Sequence, residues 1–109
     1  MIKLAGTWHI GAGNDVEAID RHYYNVHVPN VRRLPKLKRH VIGKAISDGE
    51  GGHPAAYRTA EIWFENRQDF DAAMESPEWQ TILEDGFMPS VYGLEVIVYD
   101  IEAEWTPGS

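Results

Sequence analysis

A chain of 109 residues with 43% hydrophobic content is sized and composed for one globular domain, and a unit this small buries a limited share of its surface by itself. A net charge of -7 argues against a nucleic-acid backbone or an anionic bilayer as partner, since both call for clustered Lys and Arg, and the short run Arg32, Arg33, Lys36, Lys38, Arg39 reads as a solvated helix end. The lack of cysteine excludes disulfides, thiolate metal sites and thiol nucleophiles and fits a cytoplasmic setting; no apolar run reaches the ~20 residues of a membrane span, and no signal-peptide pattern is present.

Ile2 to His9 reads as a strand, followed by a turn through Gly11, Gly13 and Asn14. From Asp15 to Pro35 the spacing predicts an amphipathic helix with Asn14 or Asp15 as its N-cap and Glu17 in its first turn. Val16, Ile19, Tyr23, Val26, Asn30 and Leu34 form its inward stripe, with His27 beside it. Pro29 removes a donor and would clash with the Asn25 carbonyl, so the helix should kink or restart there. Residues 37–46 read as a second strand, 47–54 as a polar Gly-rich loop, and Tyr57 to Phe64 as a third strand. Asn66 caps a helix through Met74, and Ser76-Pro77-Glu78 starts another that runs to about Glu84. Leu94 to Trp105 is a final strand. The order strand, helix, strand, strand, helix, strand means α+β, a four-stranded antiparallel sheet with helices on one face.

The last two strands do not alternate apolar with polar as a half-wet sheet would. Leu94, Val96 and Val98 share one face, Ile97, Tyr99 and Ile101 the other, and Trp63 lies opposite the Ala60–Ile62–Phe64 face. Two helices cover only one face, so the other is expected to meet a second copy of the sheet in a homodimer. A cavity would then lie between sheet and helices or inside the barrel wall.

Five histidines invite a metal reading, but His22 and His27 are five apart, about 140° around a helix, and no HxH, HxxxH or HExxH pair exists. Acid–base chemistry fits better, because imidazole titrates near neutrality. His27 is either a general acid/base or a half-buried helix histidine bonded to a carbonyl. His40 either faces inward with Ile42 or stands exposed. His53 is a loop histidine that a scaffold could position. His22 should point away from His27. Glu61 is either a buried carboxylate or half of a cross-strand ion pair. No phosphate loop, dinucleotide fingerprint or Ser-His-Asp order stands out, so no cofactor is expected.

In order, His22-Tyr23, His27-Val28-Pro29, Leu34-Pro35-Lys36-Leu37, and Ala60-Glu61-Ile62-Trp63-Phe64 through Ser76-Pro77-Glu78 form a series. It resembles the EthD family, within the dimeric α+β barrel superfamily. The resemblance implies a ferredoxin-like domain over residues 1–105 with 106–109 as a tail, and relatives that include cofactor-free isomerases, polyketide cyclases, dehydratases and quinone-forming monooxygenases. Within that set the chain is most similar to methylmuconolactone methylisomerases. Those enzymes carry a helix histidine matching His27, a tyrosine at the place of His40, a loop histidine close to His53 and a cysteine where Ile62 stands. Position 62, and with it Ala60 and Phe64, is thereby implied to face the pocket.

The resulting expectation is a homodimeric, cofactor-independent enzyme for a small apolar or aromatic-derived molecule, working by isomerisation, cyclisation or dehydration. His27 serves as acid/base, His40 and His53 polarise or relay protons, and Tyr23, Ile62, Phe64 and Trp8 shape the pocket. One alternative is a monooxygenase or an accessory to oxidative degradation. The other is a non-catalytic small-molecule binding module.

Overall fold

In a computed structural model, which describes residues 1–108, strand β1 spans Ile2–His9 and the Asp15 carboxylate caps helix α1 (Val16–His22) by accepting the Ala18 N–H at 3.1 Å. The chain then widens into one π-helical turn, Tyr23–His27, before helix α2 (Val28–Val31). The Val28 N–H reaches back five residues to the Tyr23 carbonyl, and Pro29 falls in the first turn of α2, where a missing N–H costs nothing. The break expected at Pro29 is thus realised as an extra residue in the turn before it.

That extra residue changes which side chains face in. Val26, placed by spacing on the inward stripe, is 38% exposed, while Tyr23, His27, Val31 and Leu34 are buried. A uniform helical period cannot describe the segment, because the phase of the stripe shifts by one residue across the π turn.

Strand β2 (Arg39–Lys44), strand β3 (Arg58–Phe64), helix α3 (Arg67–Met74), helix α4 (Pro77–Glu84), a 3₁₀ turn (Met88–Ser90) and strand β4 (Tyr92–Asp100) complete the chain. Asn66 caps α3 by accepting the Asp69 N–H, and Ser76 caps α4 by accepting that of Trp79, as their positions before each helix require. The sheet has order β2-β3-β1-β4 with every pair antiparallel, the ferredoxin-like arrangement. β4 stops five residues before the expected Trp105, because Asp100 already pairs with Ile2 and the last rung joins Ile101 to Met1. β2 is likewise confined to the length over which β3 faces it.

Register assigns the two faces. His40, Ile62, Leu4 and Val98 lie in one row on the helix side, with Ile42, Ala60, Gly6 and Val96 in the next. The opposite face carries Lys3 between Trp63 and Tyr99, its ammonium 5.2 and 5.0 Å from the two ring centres, and Lys3 pairs with Glu61 at 3.1 Å. Glu61 is therefore the cross-strand ion pair of the two readings.

Beneath the helices the core divides into two clusters. Ile2, Val31, Leu34, Phe64, Phe70 and Ile82 belong to one, and Trp8, Tyr23, Val28 and Phe87 form the other. Arg58 is buried at the end of β3, its guanidinium 4.5 Å from the Tyr23 ring centre and bonded to Asp20 at 3.0 Å. Tyr57 donates to the other Asp20 oxygen at 2.9 Å, so Asp20 ties α1 both to the first residue of β3 and to the residue just before it. Asp20→Ala should lower stability by about 2 kcal/mol in urea unfolding, because it strands a buried guanidinium. A loss below a few tenths would mean that the rings alone hold Arg58.

Candidate functional site

The gap between the two clusters is a cavity of about 290 Å³, at the small end of ligand sites, between the sheet and the helices. Leu4, Gly6, Ala60 and Ile62 form its floor, Val31, Ile82 and Phe87 part of its walls, and Leu94 and Val96 of β4 its outer side. Trp8, Tyr23, His27 and His40 also line it; among the described residues no Asp, Glu, Lys or Arg does. At Gly6 an added methyl would meet only ordinary contacts at 3.8 Å, so the floor is open here for lack of a side chain.

His27 enters from the π turn, 8% exposed, stacked near Tyr23 and 4.3 Å from the Phe87 ring centre. Its Nδ1–H donates to Asp85 Oδ2 at 2.8 Å, and the Asp85 side chain is only 3% exposed. The same oxygen accepts from Asn30 Nδ2 at 3.3 Å, and Oδ1 accepts the Phe87 N–H at 3.0 Å. A carboxylate surrounded by donors fixes the proton of His27 on Nδ1 and leaves Nε2 with a lone pair. Burial depresses the His27 pKa below 6.5, outweighing the upward pull of Asp85, so the neutral base predominates at neutral pH.

His22 also reaches this corner, donating from Nε2 to the Asp85 carbonyl at 2.8 Å. The expectation that it would point away from His27 assumed a regular helix. In the wider π turn, residues five apart lie on the same side, so both imidazoles meet Asp85 from one direction. Gly86, at φ +86°, makes the left-handed bend that returns the chain to Phe87.

His40 faces inward from β2 opposite Ile62 and lines the cavity. Its Nδ1 accepts a long hydrogen bond from Arg32 Nε at 3.4 Å. Burial first, then the positive charge of Arg32, pushes its pKa down to about 4. Tyr23 is held as the neutral phenol, because burial raises its pKa despite the cation of Arg58.

Of the other residues singled out from sequence, Trp8 and Ile62 line the cavity, whereas Phe64 and His53 do not. Phe64 shares the face of Ile62 but is fully buried against Phe70, one rung beyond the cavity, so a common strand face did not mean a common wall. His53 is exposed in the loop between β2 and β3. Sequence reasoning missed Asp85; the one local sign of it was a carboxylate at a helix end followed by glycine in Glu84-Asp85-Gly86-Phe87. Among the described residues no group of His, Asp and Glu could hold a metal ion, and no helix is long and apolar enough to cross a membrane.

A family model described as the EthD domain matches residues 12–87, a span that holds His27, His40 and Asp85. The chain is 39% identical over 71 residues to an uncharacterized 11.0 kDa protein in the thcB-thcC intergenic region of Rhodococcus erythropolis, covering 65% of this chain and 68% of the relative. Among solved structures it is similar to an ethyl tert-butyl ether d (EthD) family protein from Bacillus halodurans, with TM-score 0.79, 21% identity, and 93% and 98% of the two chains covered. It is also similar to the hydroxynitrile lyase from Passiflora edulis, with TM-score 0.73, 16% identity and 96% of each chain covered. These two similarities establish the fold, which is common to proteins of different activity.

The lowered pKa of His40 has a consequence for stability. Its unfolded value near 6.5 exceeds its folded value near 4, so protons favour the unfolded chain over that interval. Its contribution should be intact above pH 6.5 and lost progressively as pH falls toward 4. Thermal melts across that range should show a shallower decline for His40→Gln than for the parent; parallel curves would mean that His40 is not buried as described.

Proposed function

The chain belongs to the EthD family, and from that premise we propose that it is a cofactor-independent enzyme in which His27 moves protons on a small, largely apolar molecule. The observation that carries this reading is the bond from His27 to buried Asp85. It fixes one tautomer and leaves Nε2 as a base beside a largely apolar cavity, the arrangement of a base held by an orienting carboxylate. His40 polarises the substrate from across the sheet, and Trp8, Tyr23 and Ile62 shape the pocket. Isomerisation, cyclisation and dehydration are the reaction types this supports, since each is a proton transfer that exclusion of water favours. The motif resemblance to methylmuconolactone methylisomerases read from the sequence is of this class, but with Ile62 in place of their cysteine and His40 in place of their tyrosine the same lactone reaction is not proposed.

The working form in this proposal is a homodimer. β4 is an edge strand, and Leu94, Val96, Ile97, Val98 and Tyr99 are between 38% and 52% exposed on its two faces. Leu94 and Val96 also wall the cavity, so a second copy lying over β4 would close the site as well as dry the sheet.

Screening small apolar ketones, lactones and hydroxy compounds by NMR without added cofactor should reveal turnover that His27→Ala lowers roughly 10²–10⁴-fold. If the compounds bind unchanged and His27→Ala alters only affinity, the protein is a binding module. Asp85→Asn should shift the His27 proton from Nδ1 to Nε2, visible in its ¹⁵N spectrum, and lower turnover by about 10² or more with the fold retained. Sedimentation should give a dimer that Ile97→Glu splits; a parent chain that sediments as a monomer would remove the dimer from the proposal.

A further inference from the structure

The polar groups turned toward the cavity are unequal in kind. His27 supplies a lone pair at Nε2, because Asp85 holds its other nitrogen protonated. His40 is arranged the opposite way. Its Nδ1 accepts from Arg32, so in the neutral ring the proton sits on Nε2 and that nitrogen donates. The Trp8 side chain, 3% exposed, has its Nε1–H buried with no partner in the protein. The Tyr23 hydroxyl remains protonated and adds a further donor. With no charged side chain on the wall among the described residues, the lining offers no ionic partner to a charged substrate.

We propose that the cavity takes a neutral, mostly apolar carbonyl compound with an enolisable C–H, and that His40 is the electrophilic half of the site. His27 Nε2 accepts the proton from the carbon next to the carbonyl. The C–H bonding pair becomes a C–C π bond while the carbonyl π pair moves to oxygen, giving an enolate and an imidazolium next to Asp85. The enolate oxygen is held by the His40 Nε2–H, a donor preorganised in an apolar wall. The proton then returns from His27 to the same carbon or to a conjugated one, so atoms and electrons balance with no oxidant or cofactor. Arg32 is a positioning residue: it sets the tautomer of His40 and its charge keeps that ring neutral. The inference rests on His27 being the base.

Two probes test the halves separately. 2-Naphthol is a planar apolar phenol whose anion resembles an enolate, and naphthalene is the same shape without oxygen. The purified protein should bind 2-naphthol about ten- to a hundredfold more tightly than naphthalene, and the bound naphthol should show the absorption of naphtholate. His40→Phe should abolish most of that ratio, whereas His40→Gln, which keeps a donor, should restore part of it. Trp8→Phe, which removes a donor sealed off from the cavity, should leave the ratio close to that of the parent. Arg32→Leu should weaken naphtholate formation more than total binding. Because each variant is judged by a ratio of two ligands, a change in folded fraction cancels. Equal affinity for the two probes, or a ratio indifferent to His40→Phe, overturns the assignment of His40 as the electrophilic group.

The base is read from 2-tetralone in D₂O, whose hydrogens next to the carbonyl should exchange faster with protein than in buffer, and not with His27→Gln. Loss of exchange in His27→Gln together with equal naphthol and naphthalene affinity keeps His27 as base on a carbonyl compound and removes His40 as the group that holds its oxygen, which overturns this inference. Exchange that survives His27→Gln, or is absent from the parent chain, removes the base reading and this inference with it.

Discussion

A single contact, from the imidazole at position 27 to the carboxylate at 85, joins the first helical segment to the end of the last helix. Both groups are almost wholly shielded from solvent, so neither can satisfy its polar atoms in water. The consequences spread outward from that requirement. Asn30 and the Phe87 amide converge on the same carboxylate, His22 secures its backbone carbonyl, and the left-handed bend at Gly86 returns Phe87 to pack against the imidazole. A polar network of this kind is stable only when every member is paired, and here the unpaired lone pair is the one at the cavity.

The π turn makes the contact possible. A regular helix would place residues 22 and 27 on different sides and would send Val26 inward. The extra residue rotates His27 onto the buried side and lets Pro29 begin the next helical segment without a lost hydrogen bond. Backbone irregularity and chemistry therefore share one location. Each of the two apolar clusters is packed within itself, and the space between them, floored by a glycine, is where a ligand fits.

The far edge of the sheet completes the picture. Val31 of α2, Phe70 of α3 and Ile82 of α4 pack in one cluster with Ile2 of β1 and with Ile62 and Phe64 of β3, but the apolar residues of β4 stand open on both faces, including two that wall the cavity. The same strand thus bears on assembly and on enclosure of the site. On the opposite face Lys3 bridges Trp63 and Tyr99 and pairs with Glu61, a mixture of ring and charge that suits a surface needing both cover and register.

Whereas the residues left the first cap open between Asn14 and Asp15 and left His40 open between an inward and an exposed position, the ferredoxin-like order and the caps at Asn66 and Ser76 were legible in the residues themselves. Each depends on local hydrogen bonding or on a period of two that a strand keeps throughout its length. The candidate base was legible too, as a histidine beside an inward stripe at a broken turn. Its partner was not, because Asp85 lies 58 positions away and no local pattern links a helix-end carboxylate to a helix so distant in sequence. The same holds for Phe64 and His53: alternation assigns a face, but only the packing of α3 over the sheet and the course of a long loop decide which residues on a face reach a cavity. Short-range order came from sequence, and the division of the buried interior into wall, void and proton-bearing pair came from the way distant segments meet.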